Sequence, residues 1–189
     1  MGIRQEQRER RRWLILKCAL DLFVRHGYQE TTIGQIAEAA SMSTGLMFHY
    51  FPSKEDLYLA LASIGEEGAN APKGQQANDP IAYFRNFLEE LFALTEEEPW
   101  IPQMFVLMAR AQREGTPETV REVALRVDQA EYSAKIIECG QEAGVMRSGD
   151  PLALSRTFWA AVQGVMEQWA SNPEEKRPDP EWLLGILTK

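Results

Sequence analysis

The sequence predicts an all-α protein: a three-helix head carrying a helix-turn-helix, followed by a larger helical domain, about nine helices in all. Three observations carry that prediction. Apolar residues recur at helical spacing along most of the chain, and no stretch alternates convincingly as a strand. A capping residue stands before proline at Asp79-Pro80, Thr116-Pro117, Asp150-Pro151 and Asp179-Pro180. Proline costs nothing at a first helical position, whose N–H lacks a helical partner anyway. Finally, Thr31 to Lys54, TTIGQIAEAASMSTGLMFHYFPSK, reads as two short helices joined by a tight turn.

Bulk composition narrows the class. The 189 residues are 44% apolar and 25% charged, ordinary for a soluble globular protein with a real core. No apolar run approaches the roughly 18 residues that span a membrane, and the charged N-terminus has no signal-peptide apolar core. A cytoplasmic location without a membrane partner is expected. Cys18 and Cys139 are expected to stay reduced and buried rather than pair. Net charge is −8, but unevenly placed: 8 Lys+Arg against 5 Asp+Glu through residue 54, and 12 against 23 beyond it. A basic head on an acidic body suits a DNA reader with a separate regulatory domain.

The elements follow in order. Arg4, Arg8, Arg10, Arg11 and Arg12 open the first helix. They read either as an arm touching phosphates or as a solvated helix start in which Glu6 and Glu9 pair locally. Trp13, Leu16, Leu20 and Phe23 form its apolar stripe to about Arg25, and Gly27 stops it. His26, in the last turn, suits the helix dipole and reads as structural. The second helix opens at Thr32, with Gln35 completing a capping box, and buries Ile33, Ile36, Ala37 and Ala40. Ala40-Ser41-Met42 is the turn. Ser43 caps the third helix, which carries Leu46, Met47, Tyr50 and Phe51. A fourth helix starts at Ser53, with Asp56 three residues on, and buries Leu57, Ala60, Leu61 and Ile64. Gly65 to Asn78 reads as a frayed helix end and a flexible loop. Further helices are expected over about 80–97, 101–114, 117–142, 151–170 and 180–188. Residues 1–53 thus form the head and 54–189 the second domain, with the fourth helix connecting them.

Ile36-Ala37, Ser43, Gly45, the run Phe48-His49-Tyr50-Phe51 and Lys54 are together in register with one known pattern. Over roughly residues 8 to 60 the chain resembles the N-terminal domain of the TetR family of bacterial transcriptional repressors. The later two-thirds resembles that family only in length and helical pattern. The resemblance implies DNA contacts from Thr32, Ser43, Thr44, Gly45, Leu46, Phe48, His49, Tyr50 and Lys54; on the arm reading of the first helix, Arg10 and Arg11 join them. Chemistry agrees with several of these. The first residues of a recognition helix face base edges. Ser43 and Thr44 can donate, Gly45 lets backbone approach, and Leu46 can touch a thymine methyl. His49 can donate to a phosphate or a base; Thr32 and Lys54 match phosphate contacts in the family. The bland alternative for each is fold maintenance: Tyr50 and Phe51 as core, Ser43 and Thr32 as caps. Three residues depart from the pattern. Ser41 stands where glycine is usual, Thr44 replaces a frequent lysine, and Phe48 replaces a frequent tyrosine.

A second group is aromatic and methionine-rich: Phe87, Leu91, Trp100, Met104, Phe105, Met108, Tyr132, Trp159, Met166 and Trp169. The resemblance implies an effector pocket in this domain, and such side chains suit an adaptable apolar cavity; an ordinary core is the alternative. His26 and His49 are the only histidines and sit on different helices. No metal spacing, phosphate loop, nucleophile elbow or catalytic pair emerges, so no enzyme activity, metal or cofactor is expected. The expected function is a homodimeric repressor released from a palindromic DNA operator by a small, largely apolar effector. By resemblance, the last long helices build its dimer interface. Two rivals remain: a regulator of the same fold without an effector, and a helical enzyme or carrier with a degenerate head.

Overall fold

Capping chemistry sets most element boundaries in the computed structural model, which describes residues 2–70 and 79–189. Among the described residues ten helices run in order: α1 (Ile3–Glu30), α2 (Ile33–Ala39), α3 (Thr44–Phe48), α4 (Lys54–Asn70), α5 (Pro80–Glu97), α6 (Ile101–Ala111), α7 (Glu118–Leu125), α8 (Gln129–Glu142), α9 (Pro151–Ser171) and α10 (Pro180–Leu184). Among the described residues the only β-pairing is an isolated antiparallel bridge between Met146 and Thr188. The expected all-α class is observed. Three of the four proline signals act as read. Asp79 accepts from Ile81 N and Ala82 N at 3.0 Å, Asp150 from Ala153 N at 2.6 Å, and Asp179 from Glu181 N at 2.9 Å. The fourth does not. Pro117 is itself the N-cap of α7, and the Thr116 hydroxyl donates to the Arg110 carbonyl at 3.3 Å.

Several expected boundaries are corrected. The single helix expected over 117–142 is two, because Asp128 accepts from Glu131 N at 3.0 Å and starts α8 afresh. Arg126 closes α7. Gly65 to Asn70 belongs to α4 rather than to a frayed end, and residues 71–78 lie outside the described residues. At Gly65 a Cβ would meet Met108 Sδ at 2.5 Å, so the glycine here serves close packing. Helix α6 ends at Ala111 rather than near 114. Helix α10 ends at Leu184 rather than 188: Ile186 N and Leu187 N bond three residues back, and the Leu187 carbonyl then turns to Arg147 N at 2.8 Å.

The described residues form two compact units, Met1–Glu66 with Val106–Arg126, and Glu67–Phe105 with Val127–Lys189. The chain passes between them within α4, within α6 and just after α7. In the first unit α1 buries Ile15, Leu16, Ala19, Leu20 and Phe23. Trp13 was expected in this stripe but is 38% exposed. At 3.6 residues per turn it projects about 90° from the stripe's centre. Helix α4 buries Leu57, Tyr58, Leu61 and Ala62, with Ala60 and Ile64 only half-buried. The second unit packs α8 against α9 most extensively, around Phe84, Leu88, Ile137, Phe158, Val162 and Met166. Its free Cys139 is exposed, not buried as expected; Cys18 is free and half-buried. Trp182 is 73% exposed, while Leu183 and Leu184 are buried.

The α7–α8 break yields a direct prediction. Replacing Asp128 by Ala removes the cap and lowers stability by about 1 kcal/mol, read as a lower denaturant midpoint at unchanged slope. No change in midpoint would show that Val127 and the packing of α8 enforce the break without the cap.

Candidate nucleic-acid interface

The head is built on caps at both of its short helices. Thr32 Oγ1 accepts from Gln35 N at 3.2 Å while Gln35 Oε1 accepts from Thr32 N at 2.8 Å, the full reciprocal box read from the sequence. Ser43 Oγ accepts from Leu46 N at 3.2 Å and starts α3. Between them Ser41 has φ +53°, the left-handed region where glycine is usual and a Cβ is crowded. The tight turn is closed by Met42 N donating to the Ala37 carbonyl at 2.9 Å. Helix α3 is shorter than expected: it ends at Phe48, and His49 and Tyr50 form the turn after it. Pro52 is the cause. Proline disfavours helical backbone at the residue before it, so the last turn tightens, with Tyr50 N bonding the Met47 carbonyl at 2.8 Å.

This geometry sorts the side chains of α3 by face. Met47 is wholly buried and Phe51 nearly so, which anchors the element on α2 and the rest of the head. Ser43, Thr44, Gly45, Leu46, Phe48 and His49 are exposed together, and Tyr50 is half-buried. Phe48 stands 50% exposed and Leu46 36%. Two large apolar side chains held in solvent beside polar Ser43, Thr44 and His49 form a surface suited to base edges and thymine methyls. Arg10 and Arg11 lie exposed on the first turns of α1, and the Arg12 guanidinium sits 5.2 Å from the Phe51 ring centroid.

Lys54 has different surroundings from those the resemblance implied. Its Nζ donates to the carbonyls of Tyr28 at 2.7 Å, Thr31 at 2.9 Å and Gln29 at 3.4 Å, and lies 4.2 Å from the Tyr28 ring centroid. Desolvation lowers its pKa, against a raising contribution from Glu30. Tyr28, Gln29 and Thr31 lie past the kink at Gly27, φ +83° and ψ 165°, where α1 ends at Glu30. No further helical turn follows to supply N–H groups to these carbonyls. Thr31, almost fully buried, donates its hydroxyl to the carbonyls of Gly27 at 2.7 Å and Leu22 at 3.2 Å. Arg110, on α6, donates Nη1 to those of Val24 at 2.5 Å and Phe23 at 3.2 Å. Nothing in sequence reading singled out Arg110; its one local signal is a basic residue in a helix's last turn. Beside it Tyr58 stacks on Tyr28 at 5.0 Å, and burial pushes its phenol up to about 12.

The residues read as a pocket are only partly together. Phe87, Phe105, Tyr132 and Trp159 line the second unit's core half-buried, with Phe87 and Trp159 in edge contact at 5.0 Å. Trp159 Nε1 donates to Ser133 Oγ at 3.0 Å. Leu91 is half-buried on the same core, and Met166 is wholly enclosed in it. Trp100 Nε1 donates to Glu98 Oε2 at 2.6 Å, and Met104 is buried. Met108 belongs to the other unit, against Gly65. Among the described residues no group of three or more His, Cys, Asp or Glu could hold a metal, and no helix is long and apolar enough to cross a membrane.

Comparison with known proteins agrees with this head. Residues 15–61 match the family model described as bacterial regulatory proteins, tetR family. The chain is 31% identical over 158 residues to the HTH-type transcriptional regulator RutR of Escherichia coli K12, covering 79% of this chain and 70% of that protein. Its fold superposes on the MbdR regulator from Azoarcus sp. CIB with a TM-score of 0.76 at 27% identity, over 92% of this chain and 94% of that one. It also superposes on AibR, solved in complex with isovaleryl coenzyme A and operator DNA, with a TM-score of 0.70 at 20% identity, over 93% and 94%.

The Ser41 turn is open to test. Glycine relieves a left-handed cost of about 1–2 kcal/mol and adds about 0.5–1 kcal/mol of backbone entropy to the unfolded chain. Ser41→Gly is therefore expected to raise stability by about 0.5–1 kcal/mol, and Ser41→Val to lower it. A denaturant midpoint that stays put in Ser41→Gly would mean the turn relaxes without strain.

Proposed function

The chain belongs to the TetR family of bacterial transcriptional regulators, and from that premise we propose a homodimeric repressor that a small, largely apolar effector releases from a palindromic operator. Residues 1–53 are the DNA-reading part and 54–189 the part for effector and dimer, with α4 as the connection. One observation carries the DNA reading: the doubly capped helix-turn-helix holds Met47 and Phe51 inside while Ser43, Thr44, Gly45, Leu46, Phe48 and His49 face solvent. In this reading Ser43, Thr44 and His49 donate to bases or phosphates, and Leu46 and Phe48 meet apolar base surface. Arg10 and Arg11 neutralise phosphates from the arm. Thr32 and Tyr50 flank the reading face. Lys54 contributes chiefly by position, since its ammonium is engaged by three backbone carbonyls.

Two heads must reach successive major grooves, about 34–36 Å apart or a multiple of that. An effector that favours another head spacing shifts the population away from DNA by its differential affinity. Phe87, Leu91, Trp100, Met104, Phe105, Tyr132, Trp159 and Met166 are the candidate effector-facing set, with Met108 outside it. The half-buried aromatic side chains around Trp159 support an apolar ligand, and AibR offers a precedent of the same fold bound to an acyl coenzyme A and operator DNA.

Selection of bound sequences from random duplex DNA tests the reading. A palindrome with half-sites one helical turn or a multiple apart is the expected product. A purely non-specific pool, or a monomer by light scattering at micromolar concentration, would overturn the paired-head repressor. On the selected duplex, His49→Ala is expected to weaken binding while the thermal midpoint holds. Arg10→Ala with Arg11→Ala should flatten the dependence of log affinity on log salt by up to about 2; an unchanged slope removes both arginines from the contact set.

A further inference from the structure

The broken end of α1 brings one residue from far along the chain into the architecture of the head. Phe23 and Val24 stand in the turn before the left-handed Gly27. Arg110 binds both of their carbonyls with a single guanidinium, at 3.2 and 2.5 Å. Its own backbone carbonyl accepts from the Thr116 hydroxyl and from Arg113 N, and Gln29 Nε2 donates to the Gly115 carbonyl at 3.3 Å. Further along, the Thr119 hydroxyl donates to Glu55 Oε1 at 2.7 Å, and Arg126 forks onto Glu66 at 2.8 and 3.3 Å. The segment 106–126 is thus bonded at intervals to α1 and α4, in the same compact unit as the reading face.

We propose that Arg110 is a positioning residue for DNA binding, locking segment 106–126 onto the end of α1 and so holding the seat of the helix-turn-helix that follows. The inference rests on the DNA-binding reading above. Three features support the transmission. Thr31, which closes the broken end, is joined directly to Thr32, the cap of α2. Lys54, the first residue of α4, is bonded to that same end. Gln29, at the end of α1, donates to the Gly115 carbonyl beyond α6, so the same segment is held a second time at that end. A cleft of about 300 Å³ bordered by His26, Tyr28, Arg110, Arg113 and Gly115 lies at this junction.

The test compares Arg110→Met, Arg110→Lys and Leu107→Val in the full chain on the selected duplex. Leu107 is buried one turn away, so its truncation lowers stability of the same unit and leaves the carbonyl bonds in place. At a temperature where all are folded, Arg110→Met is expected to weaken operator binding by about five- to fifty-fold. The salt slope stays unchanged, because Arg110 meets no phosphate. Arg110→Lys, which keeps a donor to the carbonyls, recovers most of the loss, and Leu107→Val binds as the unaltered protein does. Equal weakening in Leu107→Val, no rescue by lysine, or a slope lower by about one would each overturn the proposal. Hydrogen exchange on the free protein gives a reading independent of DNA. Faster exchange from Gly27 through Phe48 in Arg110→Met, absent in Leu107→Val, is expected; unchanged exchange defeats the inference even if the chain binds DNA. Failure of the unaltered protein to select any duplex, with the exchange effect intact, instead defeats the function proposed above.

Discussion

A helix that ends early leaves carbonyl oxygens that something must satisfy, and in this protein that requirement organises the head. The kink of α1 at Gly27 and its end at Glu30 leave carbonyls between Leu22 and Thr31 that accept from side chains. Leaving them dry and unpaired would cost about 1–3 kcal/mol apiece. Thr31, Lys54 and Arg110 supply the donors. Two of these are cations at the negative end of a helix dipole, where charge of that sign is favoured. They also come from α4 and α6, so satisfying one helix end fixes the start of one later helix and the end of another. The aromatic stack of Tyr28 on Tyr58, with Lys54 over the Tyr28 ring, closes the same junction from its apolar side.

The reading face shows the opposite economy. Stability there comes from local caps and two buried anchors, Met47 and Phe51, while the helix between them is only five residues long. So short a helix does not persist alone; it exists because Ser43 caps its start, Met47 buries its last turn and Pro52 stops it. Ser41 holds a left-handed conformation to make the turn. A surface that keeps Leu46 and Phe48 in water and a turn that tolerates strain are both destabilising, and both follow from presenting α3 outward.

The second unit is arranged around aromatic edges rather than around a polar site. Phe84 meets Phe158 at 5.1 Å, Phe92 meets Trp169 at 4.9 Å, and Arg177 lies over the Trp169 ring while donating to the Phe92 carbonyl. The partly buried rings near Trp159 border this core without being enclosed by it. On the function proposed above, that boundary between packed and accessible aromatic surface is the place for an apolar effector.

What the sequence by itself determined is what depends on neighbours three or four residues away. The capping box of Thr32 and Gln35, the Ser43 cap, the three Asp-Pro starts and the buried face of α2 are local, so residue spacing suffices to read them. The α7–α8 break was legible by the same rule, from Asp128 and Glu131, but was masked by the apolar periodicity running through it. Only the tertiary structure decided the rest. Lys54 meets carbonyls 23 to 26 residues away and Arg110 meets carbonyls 86 and 87 residues away. Met108 seats on Gly65, and Trp13 and Trp182 face solvent although their type favours burial. An orphan acceptor does not name its donor, and an apolar stripe does not say which of its edges another helix will cover. Those choices are made when the chain folds back on itself.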